Sequence, residues 1–274
     1  MNPTLNKALL AAAFHFFAAT HGAAEAPCLD FRVEKNPGSV GAFSPLYDIS
    51  GAGVNLKVYN DSFPNDPFAK YDIKGSLFGR RLEDGNSITN ENFGGTSGVV
   101  IDAEGIYARF SKQTGWPELR IETRLAPDAD TRAVVLFSVL ANYLPKIPGA
   151  SSFEDDHQPT QSFSLRQFGD TTLVQGPGLL NVRVDRDFFG QNYRYTVRGR
   201  GFGKDFDGAD ELKFERDGVF LGTGGARIRG CGMDLEIKID DFGGRRIIVR
   251  GAAGDSNPLA AFAMAFVRYL NGVD

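Results

Sequence analysis

The chain repeats itself, and that constrains its architecture more than any other feature. Residues Tyr71 to Arg80 read YDIKGSLFGR, and residues Tyr195 to Lys204 read YTVRGRGFGK, at an offset of 124. The same offset pairs Leu56 and Val58 with Leu180 and Val182, and Asp61 with Asp185. An offset of 126 pairs Arg120–Arg124 (RIETR) with Arg246–Arg250 (RIIVR), and Tyr143-Leu144 with Tyr269-Leu270. Matches in one order at near-constant spacing point to an internal duplication.

Both halves follow one plan: short strands, then one apolar helix. In the first half, Asn55–Tyr59 and Lys70–Lys74 alternate apolar with polar residues, and Gly105–Ser111 and Leu119–Leu125 read as further strands. The second half offers Ser162–Gln167, Leu180–Val184, Arg194–Arg198, Glu211–Arg216, Val219–Leu221, Asp234–Ile239 and Arg245–Arg250. Asp217-Gly218 and Asp84-Gly85 supply tight turns, since Asp-Gly tolerates positive φ. The apolar runs Ala133–Leu144 and Leu259–Leu270 follow start signals at Asp130-Thr131 and Asp255–Pro258. Pro145 and Asn271-Gly272 end them. Neither run is amphipathic, so each predicts a helix buried on all sides. The fold class is therefore mainly β: an internally duplicated antiparallel sheet or barrel, each repeat ending in a buried apolar α-helix.

Residues 1–26 read as a secretory signal peptide. Lys7 precedes an apolar run, Ala8–Ala19, and small residues cluster at Gly22–Ala26. An organelle-targeting peptide is the alternative address. Repeat 1 then spans 27–147, a Ser-, Asp- and Pro-rich connector 148–162, and repeat 2 163–274. In an oxidising compartment Cys28 and Cys231 are candidates for one disulfide, two separate thiols being the alternative. Asn60-Asp61-Ser62 is an N-glycosylation acceptor in a turn-rich stretch, read as a surface loop. After the leader no apolar stretch reaches the roughly 20 residues a spanning helix needs, so no transmembrane segment is expected. A net charge of −4 argues against nucleic acid as partner.

The segment Phe78-Gly79-Arg80-Arg81-Leu82-Glu83-Asp84-Gly85 resembles the Phe-Gly, strand, Asp-Gly hairpin of the tubby C-terminal-like superfamily, which includes tubby, the LURP-one-related proteins and the phospholipid scramblases. Asn257–Phe266 resembles that group's terminal helix. The resemblance implies a barrel threaded by the helix. The secretory leader departs from the mostly intracellular family, and with it phosphoinositide binding is not carried over.

Histidine is scarce: His15 and His21 lie in the leader, leaving His157. A multi-histidine metal site is excluded, and no cofactor is implied. Glu154–His157 could hold a hard cation but reads as a solvated acidic connector. Asp241-Phe242-Gly243 matches a kinase triplet, yet no Gly-rich phosphate loop or catalytic-loop motif accompanies it, so it reads as a turn. Carboxylate pairs such as Asp102 with Glu122, or Asp234 with Glu236, are too common to single out a catalytic pair.

The repeated basic residues are the candidate binding site. Lys70 and Lys74 share one strand face, and Arg194, Arg198 and Arg200 the equivalent one. Arg80, Arg81 and Lys204 follow. Such a face can pair with anionic lipid headgroups or acidic glycans. It can equally be a solvated sheet face balanced by nearby Asp and Glu. The expected function is a secreted, non-catalytic protein that binds an anionic or amphipathic ligand. The alternatives are a protein-interaction scaffold without a small ligand and, more remotely, a carboxylate-based hydrolase.

Overall fold

The computed structural model describes residues 28–39, 43–61, 66, 69–116, 118–147, 150, 161–176, 180–189, 192–201, 204–207, 213–216, 223–230, 232–240 and 246–254. These form eighteen strands and one helix. The first half holds β1 (Cys28–Lys35), β2 (Tyr47–Gly51), β3 (Val54–Asp61), β4 (Lys70–Leu77) and β5 (Arg80–Arg81). It continues with β6 (Ser87–Phe93), β7 (Thr96–Ala103), β8 (Ile106–Gln113), β9 (Glu118–Leu125) and α1 (Thr131–Tyr143). The second half holds β10 (Gln161–Phe168), β11 (Thr171–Gly176), β12 (Leu180–Phe189), β13 (Asn192–Gly201) and β14 (Lys204–Asp207). It ends with β15 (Lys213–Arg216), β16 (Thr223–Gly230), β17 (Met233–Asp240) and β18 (Arg246–Ala252).

All eighteen strands belong to one antiparallel sheet. The two halves meet along two seams, β9 with β10 and β18 with β1. Within each half consecutive strands pair as hairpins. The one detour is the same in both: β4 pairs β5 at its end and β6 at its start, and β13 pairs β14 at its end and β15 at its start.

Alternation decides which face is buried. In β3 the pattern puts Val54, Leu56 and Val58 inside and Asn55 and Lys57 outside. In β4 it buries Tyr71, Ile73 and Leu77 and exposes Lys74. The inward residues of both halves join one core with α1. Asp130 caps α1 by accepting from the Arg132 backbone N–H at 2.8 Å. Its residues Ala133 to Ala141 are all buried, as an all-apolar run requires. Each large aliphatic side chain buried this way contributes roughly 1.5–3 kcal/mol. Two polar contacts fix the far end: Tyr71 Oη donates to the Pro145 carbonyl at 2.7 Å, and Asn90 Nδ2 to the Leu144 carbonyl at 2.9 Å. Burial, and then the neighbouring Tyr47, push the Tyr71 hydroxyl above its ordinary pKa.

Several expectations are corrected. Asn60 lies in β3 opposite Tyr71, not in a loop, because the pairing with β4 runs on to Asp61 after the burial alternation has ended. β10 begins at Gln161, so the last two residues assigned to the connector are strand. Leu56 faces Gly75 and Val182 faces Gly199, so against β4 and β13 the offset-124 pairings of Leu56 with Leu180, Val58 with Val182 and Asp61 with Asp185 are each two residues out of register. Strands β1, β2, β6, β7, β11, β14 and β16 were not anticipated, and β5 was expected only through the resemblance of Phe78–Gly85. The expected helix Leu259–Leu270, the turn at Asp217-Gly218, the strand Val219–Leu221, the cluster Glu154–His157 and the triplet Asp241–Gly243 lie outside the described residues, as does the leader. No helix among the described residues is long and apolar enough to cross a membrane.

Candidate functional site

The outer face of β3, β4 and β5 gathers cations. Strand register sets Lys57 directly opposite Lys74, Asn55 opposite Ser76, and Arg81 opposite Ser76 from the other side. Together with Gly75 these residues line one depression of about 400 Å³. Like charges set directly across a strand pair are destabilising, and Lys57 and Lys74 are such a pair. No carboxylate pairs with Lys57, Lys74 or Arg81 among the described residues. Two carboxylates border the face without an ion pair to these cations: Asp48, directly opposite Lys57 on β2, accepts from Asn36 at 2.9 Å, and Asp72 holds Lys70 at 3.5 Å. Lys74 Nζ lies 6.0 Å from the centre of the Tyr59 ring, at the outer limit of a cation–π contact.

Gly75 keeps this corner tight. Its φ is +134°, and a Cβ there would collide with the Asn55 carbonyl. Gly199 has φ +123° and the same collision, with the Asn181 carbonyl.

The face on β12 and β13 has the same cross-strand cation pair but carries Arg200 where the first has Ser76, and it brings its own carboxylates. Arg183 stands opposite Arg198, as Lys57 stands opposite Lys74, and Asn181 opposite Arg200. Here the cations are paired. Asp185 Oδ1 lies 2.6 Å from Arg183 Nε, Asp185 Oδ2 lies 3.9 Å from Arg198, and Asp205 lies 3.4 Å from Arg200 Nε. Thr171 Oγ1 also donates to Asp185 at 2.8 Å. Burial alone raises the Asp185 carboxyl, but hydrogen bonds from Arg183 and Thr171 and the charges of Arg183 and Arg198 hold it below the usual carboxylate range.

A larger depression, about 870 Å³, opens beside the start of α1. Arg80, Arg81 and Arg132 line it with Glu83, Asp84, Asp102, Glu104, Asp128 and Asp130. The two-residue turn from β4 to β5 is Phe78-Gly79, both at positive φ (48° and 83°). A bulky residue there is strained. The Arg132 guanidinium, 3.7 Å from the Phe78 ring centre, braces it, and Asp130 grips Arg132 at 2.6 Å. Burial raises the Asp130 carboxyl, and hydrogen bonds and charge from Arg132 more than offset this.

Of the predicted basic residues, Lys74 and Arg81 meet in one depression, and Arg80 faces the larger one. Lys70 is neutralised by Asp72, and Arg198 and Arg200 by Asp185 and Asp205. Arg194 and Lys204 lie in β13 and β14, and their side chains are outside the described set. Sequence reading missed Lys57, Arg183, Asp185 and Asp205; the alternation of β3 already put Lys57 on the charged face, but its partner needed the register. Cys28 is an exposed free thiol at the start of β1, and Cys231 lies outside the described residues. Asp102 and Glu122 are separated by β8, Asp234 is paired with Arg227 at 3.3 Å, and Glu236 with Lys238 at 3.3 Å. Among the described residues no group of three or more His, Cys, Asp or Glu side chains is arranged to hold a metal. No family model, curated protein or solved structure matches the chain.

Proposed function

We propose that this chain is a secreted, non-catalytic binding protein that engages an oxyanion-bearing ligand, a lipid headgroup or an acidic glycan, through the outer face of β3, β4 and β5. One observation carries the reading: Lys57, Lys74 and Arg81 surround a single depression with Asn55 and Ser76, and none of the three forms an ion pair with a carboxylate among the described residues. Three cations held close by the fold raise the local potential, and an incoming anion relieves their repulsion. We also propose that the halves are duplicates of a tubby-like unit. The matching detours at β4 and β13, and the matching glycines Gly75 and Gly199, support this.

The test is amide chemical-shift titration with three probes: inorganic phosphate, phosphatidylserine vesicles and a sulfated oligosaccharide. Shifts at Lys57, Lys74, Gly75 and Arg81 that weaken with salt are expected. The carrier that binds tightest identifies the source of the anion. No response to any of the three would overturn the reading.

A protein-contact surface is the second reading, and one observation favours it. Trp116, Phe168 and Leu173 are exposed at 60%, 61% and 37%. Arg166 faces Glu118 on one side and Leu173 on the other, and Phe168 lies two residues beyond it on β10. Exposed aromatics of this kind anchor protein interfaces. Loss of a stoichiometric complex in Trp116→Ser/Phe168→Ser, with the phosphate response intact, would favour it.

A further inference from the structure

We infer that the outer face of β12, β13 and β14 is a second oxyanion site that the chain fills with its own carboxylates, Asp185 and Asp205. The inference rests on the anion-binding reading of the first half and extends it. The cross-strand cation pair is the same, Arg183 with Arg198 as Lys57 with Lys74, and Arg200, two residues further along β13, stands at the register position of Ser76. The Asp185 carboxylate reaches both members of that pair, at 2.6 Å and 3.9 Å, so its two oxygens sit between them. Asp205, opposite Arg200 on β14, completes the neutralisation at 3.4 Å. In the first half Tyr59 holds the position two residues beyond Lys57 on β3, as Asp185 does beyond Arg183 on β12. Arg81 holds the β5 position matched by Asp205 on β14. The first half therefore lacks both of these anions, and its third cation stands on β5 at the position of Asp205, while Ser76 holds the position of Arg200.

The filled copy also says what fits the open one. An internal carboxylate bridging two cations across a strand pair is the geometry of a small oxyanion with two accepting oxygens: a carboxylate, a phosphate or a sulfate. A neutral sugar or an apolar chain would leave Lys57 and Lys74 unpaired.

The experiment counts sites on the full chain with inorganic phosphate. Amide shifts at Lys57, Lys74 and Gly75 report the first face, and those at Arg183, Arg198 and Gly199 the second. The wild type is expected to respond at the first face alone. Asp185→Tyr/Asp205→Arg is expected to respond at both, with phosphate at least tenfold tighter at the second face than in the wild type. Asp185→Asn/Asp205→Asn, which keeps the side-chain shapes, is expected to show the same gain more weakly, and it stands in if the first variant fails to fold. A second face that stays silent in both variants, or one that already binds in the wild type as well as the first, overturns the inference while leaving the first-half site intact. A second face that opens in the variants while the first never responds supports this inference and removes the functional reading above it.

Discussion

The faces built on β3–β4 and on β12–β13 share a frame and differ in charge balance. Both place cations directly across a strand pair, and both are cornered by a positive-φ glycine against a backbone carbonyl. In one, Asp185 and Asp205 quench the cations; in the other, Lys57, Lys74 and Arg81 are left for solvent or for a ligand. The lesson is that a row of surface cations is not a site by itself. What separates a binding face from a solvated one is whether the fold has already supplied the counter-charge.

The frame should break equally in both halves. Gly75→Ala and Gly199→Ala each force a Cβ into a carbonyl at a φ that L-residues avoid. Each is expected to cost about 2–4 kcal/mol, measured by denaturant unfolding. Unequal costs would show that the two corners are not equivalent. The charge should break unequally. Lys74→Glu removes a charge-assisted contact and adds repulsion, so phosphate affinity at the first face should fall at least tenfold, on the scale of about 1.5–3 kcal/mol for such contacts. Arg198→Glu, at the matching position, should leave it within about twofold. Calorimetric titration of both variants reads the difference, and equal losses would mean that the faces act as one.

How much of this was readable in the chain depends on which interactions are local. α1 was legible almost to the residue, because Asp130, an unbroken apolar run and Pro145 all act within one segment. Strands β3, β4, β9 and β17 were legible from period-two alternation. β6 was not, because its inward position Asn90 is polar, and its amide donates to the Leu144 carbonyl more than fifty residues away. β7 was missed because Val99-Val100-Ile101 runs apolar without alternating, and β16 because glycines interrupt it. Lys74 and Arg81 were found individually. Lys57 was not, since only the register shows that it faces Lys74. The quenching of Arg198 was equally hidden, because Asp185 sits on a neighbouring strand and its role depends on distance rather than on composition.

The smallest effect probes the quenching itself. Asp185 titrates below the usual carboxylate range because Arg183, Thr171 and Arg198 favour its charged form. A carboxyl depressed in the folded state stabilises the fold above its unfolded pKa, and that stabilisation is lost as pH falls through the folded value. Asp185→Asn should therefore be less stable than the wild type at neutral pH, by no more than about 1 kcal/mol for a pair this close to solvent. The gap should narrow as the solution is acidified below the carboxylate range, because protonated Asp185 then resembles the amide. The same protonation frees Arg183 and Arg198. Sulfate, which keeps its charge there, should begin to shift the Arg183 and Arg198 amides in the wild type at low pH, and should shift them at neutral pH in Asp185→Asn. If acid leaves the wild-type second face silent while the Asn variant binds sulfate, then Asp185 does not release the arginines on protonation. The two faces would then differ in shape as well as in charge.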